Sequence, residues 1–223
     1  MGIFIAFSII CMWALHLFFI LNSVQINLLS LNFYLHILLQ GYLYTGLFIT
    51  AHDAMHKTVT KNRYLNEFIG VATAFLFAGM SYKKLKENHF KHHKYPGSKD
   101  DPDFYVKSQN FFKWWISFLL RYSTVLQIVI MAAVFNLLKL WFDELNIWIF
   151  WVLPAFIGAI QLFYFGTYLP HKKPHDHDMD PHKARTQNKN HIWAMLSCYF
   201  FGYHFEHHDS PSTPWWQLYK LKR

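Results

Sequence analysis

No Asp, Glu, Lys or Arg occurs before Asp53. A stretch of that length without a formal charge has too little polar surface to sit in water, and a membrane pass needs about 20 apolar residues at 1.5 Å each. Two passes fit, at residues 2–21 and 28–51, with Asn22, Ser23, Gln25 and Asn27 marking the turn between them. A secretory signal peptide would have a basic start and a small-residue cleavage site. The first segment has neither, so an uncleaved membrane helix is expected.

Two further passes are expected at 122–142 and 146–169, joined by the short turn Asp143-Glu144-Leu145-Asn146 and thus antiparallel. Pro154 is expected to kink the last. The apolar runs 68–80 and 192–203 hold 13 and 12 residues. A helix of that length reaches about 20 Å, short of the roughly 30 Å hydrocarbon core, so both read as re-entrant or interfacial segments. The fold class expected is all-α: residues 1–223 as one integral-membrane domain, with four transmembrane helices in two hairpins.

The basic residues are confined. Residues 52–113 carry 11 Lys/Arg and residues 170–223 carry 8, leaving only Arg121 and Lys139 of the 21 elsewhere. The positive-inside rule then puts both blocks, and both termini, in the cytoplasm. Most of these cations need no role beyond topology and lipid headgroup contact. With only 15% of residues charged and 53% apolar, a nucleic-acid binder is excluded as a class.

Eight of the 15 histidines form three groups in the polar blocks: His52/His56, His89/His92/His93 and His204/His207/His208. Positions i, i+3 and i+4 of a helix share a face, so each group is expected to present its imidazoles in one direction. Imidazole suits Fe, Zn, Cu and Ni, and eight of them exceed what one ion holds. Two metal ions with four or so protein ligands each would use eight or nine. A single HxxxH is a weak signal; two HxxHH groups beside one are not a chance surface pattern. His52-Asp53-Ala54-Met55-His56 lacks the Glu of the zinc-protease HExxH motif, although Asp53 could imitate it. A membrane metalloprotease or a metal-binding transport protein is thus a remote alternative, which would leave six histidines unused.

Three histidine boxes along four membrane helices resemble the membrane fatty-acid desaturase and hydroxylase superfamily. The flanks are more specific. Gly46-Leu-Phe-Ile-Thr-Ala-His-Asp-Ala-Met-His56, the stretch from His89 through Pro96-Gly97 to Asp101-Pro-Asp-Phe104, Phe165-Gly-Thr-Tyr-Leu-Pro-His171, and His204-Phe-Glu-His-His208 with Pro214-Trp215-Trp216 resemble bacterial and cyanobacterial β-carotene ketolases. The likeness runs from about residue 40 to 218. Lys57 departs from it, standing where a Gly is expected after the first box, and Tyr219 stands where Pro is usual.

The resemblance implies two iron ions, O2 as cosubstrate and oxidation of the allylic C4 methylene of a β-ionone ring. Two hydroxylations and loss of water would give the ketone, taking β-carotene to echinenone and canthaxanthin. A carotenoid hydroxylase or a fatty-acid desaturase or hydroxylase of the same superfamily is the alternative. The carotenoid would enter from the bilayer, past aromatic side chains whose commoner role is packing. The likeness also implies a bacterial cytoplasmic membrane.

An external electron donor is required: no GxGxxG fingerprint is present, and Cys11 and Cys198 lie in apolar segments where they ligate no iron–sulfur cluster. A small acidic donor such as ferredoxin would suit the basic face. His171, at the end of the last pass, is a candidate ninth ligand. No catalytic group separate from the ligands is expected. Asp53, Asp100, Asp101, Asp103 and Glu206 are candidates to receive the spare N–H of a ligating imidazole. Their alternative is pairing with nearby lysines. His16 and His36 lie within the passes, and His175, His177, His182 and His191 in a polar loop; all six are left outside the site.

Overall fold

A computed structural model describes residues 1–222 as helices and turns, with no strand among the described residues. The helices are α1 (Gly2–Ser23), α2 (Leu31–Met55), α3 (Arg63–Ala78), α4 (Tyr82–Lys94), α5 (Phe111–Tyr122), α6 (Val125–Leu138), α7 (Glu144–His171), α8 (His191–Cys198) and α9 (His204–Asp209). One isolated bridge joins Thr186 to Tyr203.

Helix α2 is the hub. From Gln40 to Met55 it is almost wholly buried, and it packs against α1, α3 and α7. Its approach to α7 depends on two facing glycines: a Cβ on Gly41 would lie 2.9 Å from Ile157 Cγ2, and one on Gly158 would lie 2.9 Å from Gly41 O. Polar side chains then tie the helices together, as is usual where lipid gives no hydrophobic drive. Thr45 donates to Gln161 Oε1, and Gln161 donates in turn to Ser197 O. His16 and His36, outside the candidate site by sequence, do similar work between α1 and α2. His16 Nδ1 lies 2.6 Å from Gln40 Oε1, and His16 Nε2 lies 3.0 Å from His36 Nδ1.

Helices α1 and α7 are each long and apolar enough to cross a membrane. At 25 residues α2 has the length, but His36, Gln40, Thr45, Thr50 and its final His52-Asp53 dilute its apolar character. Over the expected pass 122–142 the structure shows no continuous helix. Tyr122 ends α5, Ser123 and Thr124 are extended, and α6 leaves at 84°. Thr124 causes the break locally, since its hydroxyl caps α6 by accepting from Gln127 N–H at 3.1 Å. The 14 residues of α6 reach only about 21 Å. A third crossing exists only if the bent pair α5–α6 counts as one broken span. Of the two short apolar runs, the first lies in α3, 16 residues long, and the second in the eight-residue α8 and the turn after it.

Helix α3 ends at Gly79 (φ 63°), whose N–H bonds Phe75 O while Met80 N–H bonds Ala74 O. A comparable left-handed residue follows α2, and it is Lys57 (φ 61°). Here lies the physical reason for the Gly expected at this position. A side chain costs about 1 kcal/mol in that conformation. Lys57→Gly is therefore expected to stabilise the protein by about 1 kcal/mol, measurable by denaturation in detergent. A variant less stable than the parent would mean that contacts of the lysine side chain outweigh its backbone strain.

Candidate metal centre

Four helix ends meet below α2. Helix α2 brings His52 and His56, α4 brings His89, His92 and His93, α7 ends on His171, and α9 carries His204, His207 and His208. Their ring nitrogens fall into two groups, each with its ligand atoms within 4.8 Å of one another: His52, His56, His89, His93 and His207, and separately His92, His171, His204 and His208. The groups adjoin, with the rings of His93 and His208 stacked at 4.2 Å.

The three boxes thus do not each present a single direction. On a helix, i+4 lies about 40° past i and i+3 about 60° short of it. Helix α4 sends His89 and His93 to the first group and His92 to the second. Helix α9 does the reverse, sending His204 and His208 to the second and His207 to the first. An HxxHH box is wide enough to straddle two centres.

Within the groups the nitrogens face one another. His52 Nε2 and His93 Nε2 lie 3.1 and 2.9 Å from His207 Nε2, and His56 Nε2 lies 2.6 Å from His89 Nε2. His92 Nε2 and His204 Nε2 lie 3.0 and 3.2 Å from His208 Nε2. Such spacing suits nitrogens sharing an ion at about 2.1 Å. The tautomers agree where they can be inferred. His171 Nδ1–H donates to Lys183 O at 2.8 Å, so the lone pair is on its Nε2, which is buried with no hydrogen-bond partner. His92 Nδ1–H donates to the Asp101 carboxylate at 3.0 and 3.1 Å, which leaves its Nε2 lone pair facing the second group.

Burial, then mutual repulsion, pushes His89, His204, His207 and His208 well below the usual imidazole range, and His93 down to about 2. Burial alone takes His56 down to about 4. Neutral imidazole is the form that binds a metal. His92 differs: burial opposes its charge, but the Asp101 carboxylate, with Asp103 beside it, raises it on balance. Nine neutral or carboxylate-supported imidazoles in two groups, with an orphaned buried nitrogen among them, fit a pair of metal ions.

The carboxylates divide. Asp101 is buried against His92 and also accepts N–H bonds from Gly97 and Asp103, each at 2.8 Å. Asp103 lies 4.0 Å from His92 Nδ1, accepts from the Tyr122 hydroxyl and, through its carbonyl, from Trp114 Nε1–H at 2.7 Å. Asp53 is buried 3.8 Å from His52 Nδ1 and accepts from Trp215 N–H at 3.1 Å. Glu206 is buried on α9 among the box histidines. Asp100 is corrected: it is exposed at the surface of the loop, outside both groups, because the turn from Tyr95 to Asp101 spends its inward position on Asp101. His175, His177, His182 and His191 also lie outside both groups.

Sequence reasoning did not identify the cleft above the histidines. It is a narrow, partly open cleft; its walls include Phe48, Phe77, Met80, Phe118 and Phe201, together with His52, His89, His92 and His204, drawn from both groups. Tyr122, Asp103 and Thr167 are the other polar liners. Phe201 packs on His52 and His204 at 4.8 and 5.2 Å. Its position requires Gly166, where any Cβ would collide with its ring. Gly166 and Thr167 sit in a π-helical turn of α7, Tyr164–Tyr168, three residues before His171. Such turns are often found at functional sites, and a run of aromatic residues with one Gly ahead of a Pro-His pair was the available signal.

The sequence pattern of the fatty acid desaturase family matches residues 29–135 and 120–223. A zeaxanthin 4-ketolase of Chlamydomonas reinhardtii is 40% identical over 187 residues, which is 82% of this chain and 42% of that protein. A beta-carotene 4-ketolase of Protosiphon botryoides is 38% identical, covering 79% of this chain and 48% of that protein. The chain thus spans about half the length of these algal proteins. A beta-carotene ketolase of Paracoccus sp. (strain N81106 / MBIC 01143) is 37% identical over 180 residues, 79% of this chain and 74% of that protein. No solved structure matches the chain.

Proposed function

Because this chain belongs to the fatty acid desaturase family, we propose that it is a di-iron, O2-dependent oxygenase that places a keto group at C4 of the β-ionone ring of β-carotene or a related carotenoid. The observation that carries this reading is the cleft: an aromatic pocket lined by histidines of both metal-binding groups. Its chemistry matches an apolar ring that must be held against two metal ions. The ketolase names of the relatives support a carotenoid over a fatty acyl chain.

In this reading His52, His56, His89, His93 and His207 hold one iron, and His92, His171, His204 and His208 the other. The bound irons supply an oxidant, formed from O2, that is strong enough to hydroxylate an allylic C–H bond. The chain contributes position and dryness. Phe48, Phe77, Phe118 and Phe201 clamp the ring and keep water from the histidines. Asp101 holds His92 in the tautomer that leaves Nε2 free, and Asp53 lies 3.8 Å from His52 Nδ1. Each hydroxylation consumes one O2, two electrons and two protons and releases one water. Loss of a further water from the gem-diol leaves the ketone. Electrons come from an external donor such as ferredoxin.

The membrane arrangement belongs to the same proposal. Helices α1, α2, the broken pair α5–α6 and α7 form two hairpins, with both termini and the histidines on the cytoplasmic side of a bacterial membrane. The placement of 19 of the 21 basic residues in 52–113 and 170–223 supports that orientation.

Expression in a bacterium that makes β-carotene is expected to yield keto-carotenoids, identified by chromatography and mass. Recovery of 3-hydroxylated pigment alone, or of altered fatty acids alone, would overturn the ketolase reading in favour of the hydroxylase or desaturase.

A further inference from the structure

The proposed oxidation needs electrons delivered one at a time to a buried centre, and the surface nearest the first histidine group has a distinctive composition. Helix α4 carries five lysines, Lys83, Lys84, Lys86, Lys91 and Lys94, in 13 residues. Such a helix cannot lie in hydrocarbon. Yet in its outer face sits Phe90, 45% exposed.

The inner side of that ring touches the metal-binding histidines. Its centroid lies 5.6 Å from the ring of His56 and 6.1 Å from that of His89, both in the first group. The outer side opens into a surface depression also lined by Lys57, Thr60, Lys61, Arg63 and Lys86. Lys86 pairs with Glu67 at the edge, which leaves the other three cations to dominate the field. One of them is the Lys57 that occupies a left-handed backbone position at a cost.

The geometry points to Phe90 and this ring of cations as the port at which the electron donor docks, the donor being an acidic protein that carries one electron at a time. This rests on the oxygenase reading above. Positive charge around the port steers a negatively charged partner and fixes its orientation. Phe90 supplies the apolar contact at the centre and a continuous van der Waals route from the surface to His56. A lipid headgroup would pair with the same cations, but it would leave Phe90 in water and has no use for contact with the histidines.

The test uses the full chain in nanodiscs of neutral phosphatidylcholine, with a plant-type [2Fe–2S] ferredoxin as the acidic probe. Lys61→Glu with Arg63→Glu is expected to weaken ferredoxin binding about tenfold at low ionic strength and to flatten its salt dependence. Reversing Lys99 and Lys107, two exposed lysines that do not line the depression, provides a charge-matched control and is expected to weaken binding far less. Phe90→Ala is expected to slow anaerobic reduction of the iron-loaded protein by reduced ferredoxin about tenfold or more, at unchanged iron content.

Equal weakening by the two double variants would overturn the port, as would a reduction rate unaffected by Phe90→Ala. So would loss of affinity for phosphatidylglycerol vesicles with ferredoxin binding intact, which would make the patch a headgroup site. The binding measurement needs no metal, carotenoid or turnover. A failure to find keto-carotenoids would therefore sink the ketolase reading without touching this result.

Discussion

His207→Ala is expected to abolish product formation and to lower the iron content from two ions per chain to one. His207 Nε2 faces both His52 Nε2 and His93 Nε2, at 3.1 and 2.9 Å, so it joins the α2 and α4 contributions to the first group. Losing even a side chain that only supports a ligand costs about 10–100-fold in metal affinity, so losing a ligand at the centre of the group should exceed about 100-fold. Membrane insertion should survive, because α9 is a six-residue helix bearing five polar or charged side chains and is no part of a crossing. Iron per chain, by metal analysis of purified protein, separates this from misfolding. His191→Ala is the contrast, since His191 lies outside both groups with its Nδ1 2.8 Å from the Tyr203 hydroxyl. Wild-type product and two irons in His207→Ala would remove His207 from the ligand set.

What could be read from the sequence was what depends on local spacing and on the solvent. A charge-free opening stretch and the i, i+3, i+4 histidines are properties of short windows, and α1, α2, α4 and α9 follow from them. The division of the boxes between two groups is not local. Whether His92 turns toward His171 or His93 depends on where α7 ends, about 80 residues later, and the two rings meet at 4.7 Å only through tertiary packing. The broken pass at 122–142 shows the converse. Apolarity set the expectation of one helix, but the hydroxyl of Thr124 was enough to cap a new one at 84°. Lys57 had a readable signal, a lysine in place of a Gly, whose meaning became clear once φ was known to be 61°. Asp100, Asp101 and Asp103 are indistinguishable by composition. Only the path of the turn buries Asp101 and exposes Asp100.

Asp101 carries the second large effect, and its two substitutions should separate folding from metal binding. The carboxylate accepts three hydrogen bonds, from His92 Nδ1–H, Gly97 N–H and Asp103 N–H. It is 1% exposed, so water cannot replace it. Asp101→Ala strands three buried donors at about 1–3 kcal/mol each, and the loop from Tyr95 to Phe104 is expected to come apart together with the cleft wall it supports. Asp101→Asn keeps the shape. The amide oxygen can still accept from a backbone N–H, but if its NH2 faces His92, that ring must accept rather than donate at Nδ1. The proton then moves to Nε2, the nitrogen 3.0 Å from His208 Nε2, and closes the lone pair to metal. Asp101→Asn is therefore expected to stay folded and to keep iron in the first group while the second loses about 10–100-fold in affinity. Titration of metal-free protein with Fe(II), read as one tight and one weakened site, checks this. Two sites of parental affinity in Asp101→Asn would show that the tautomer of His92 is set by something other than this carboxylate.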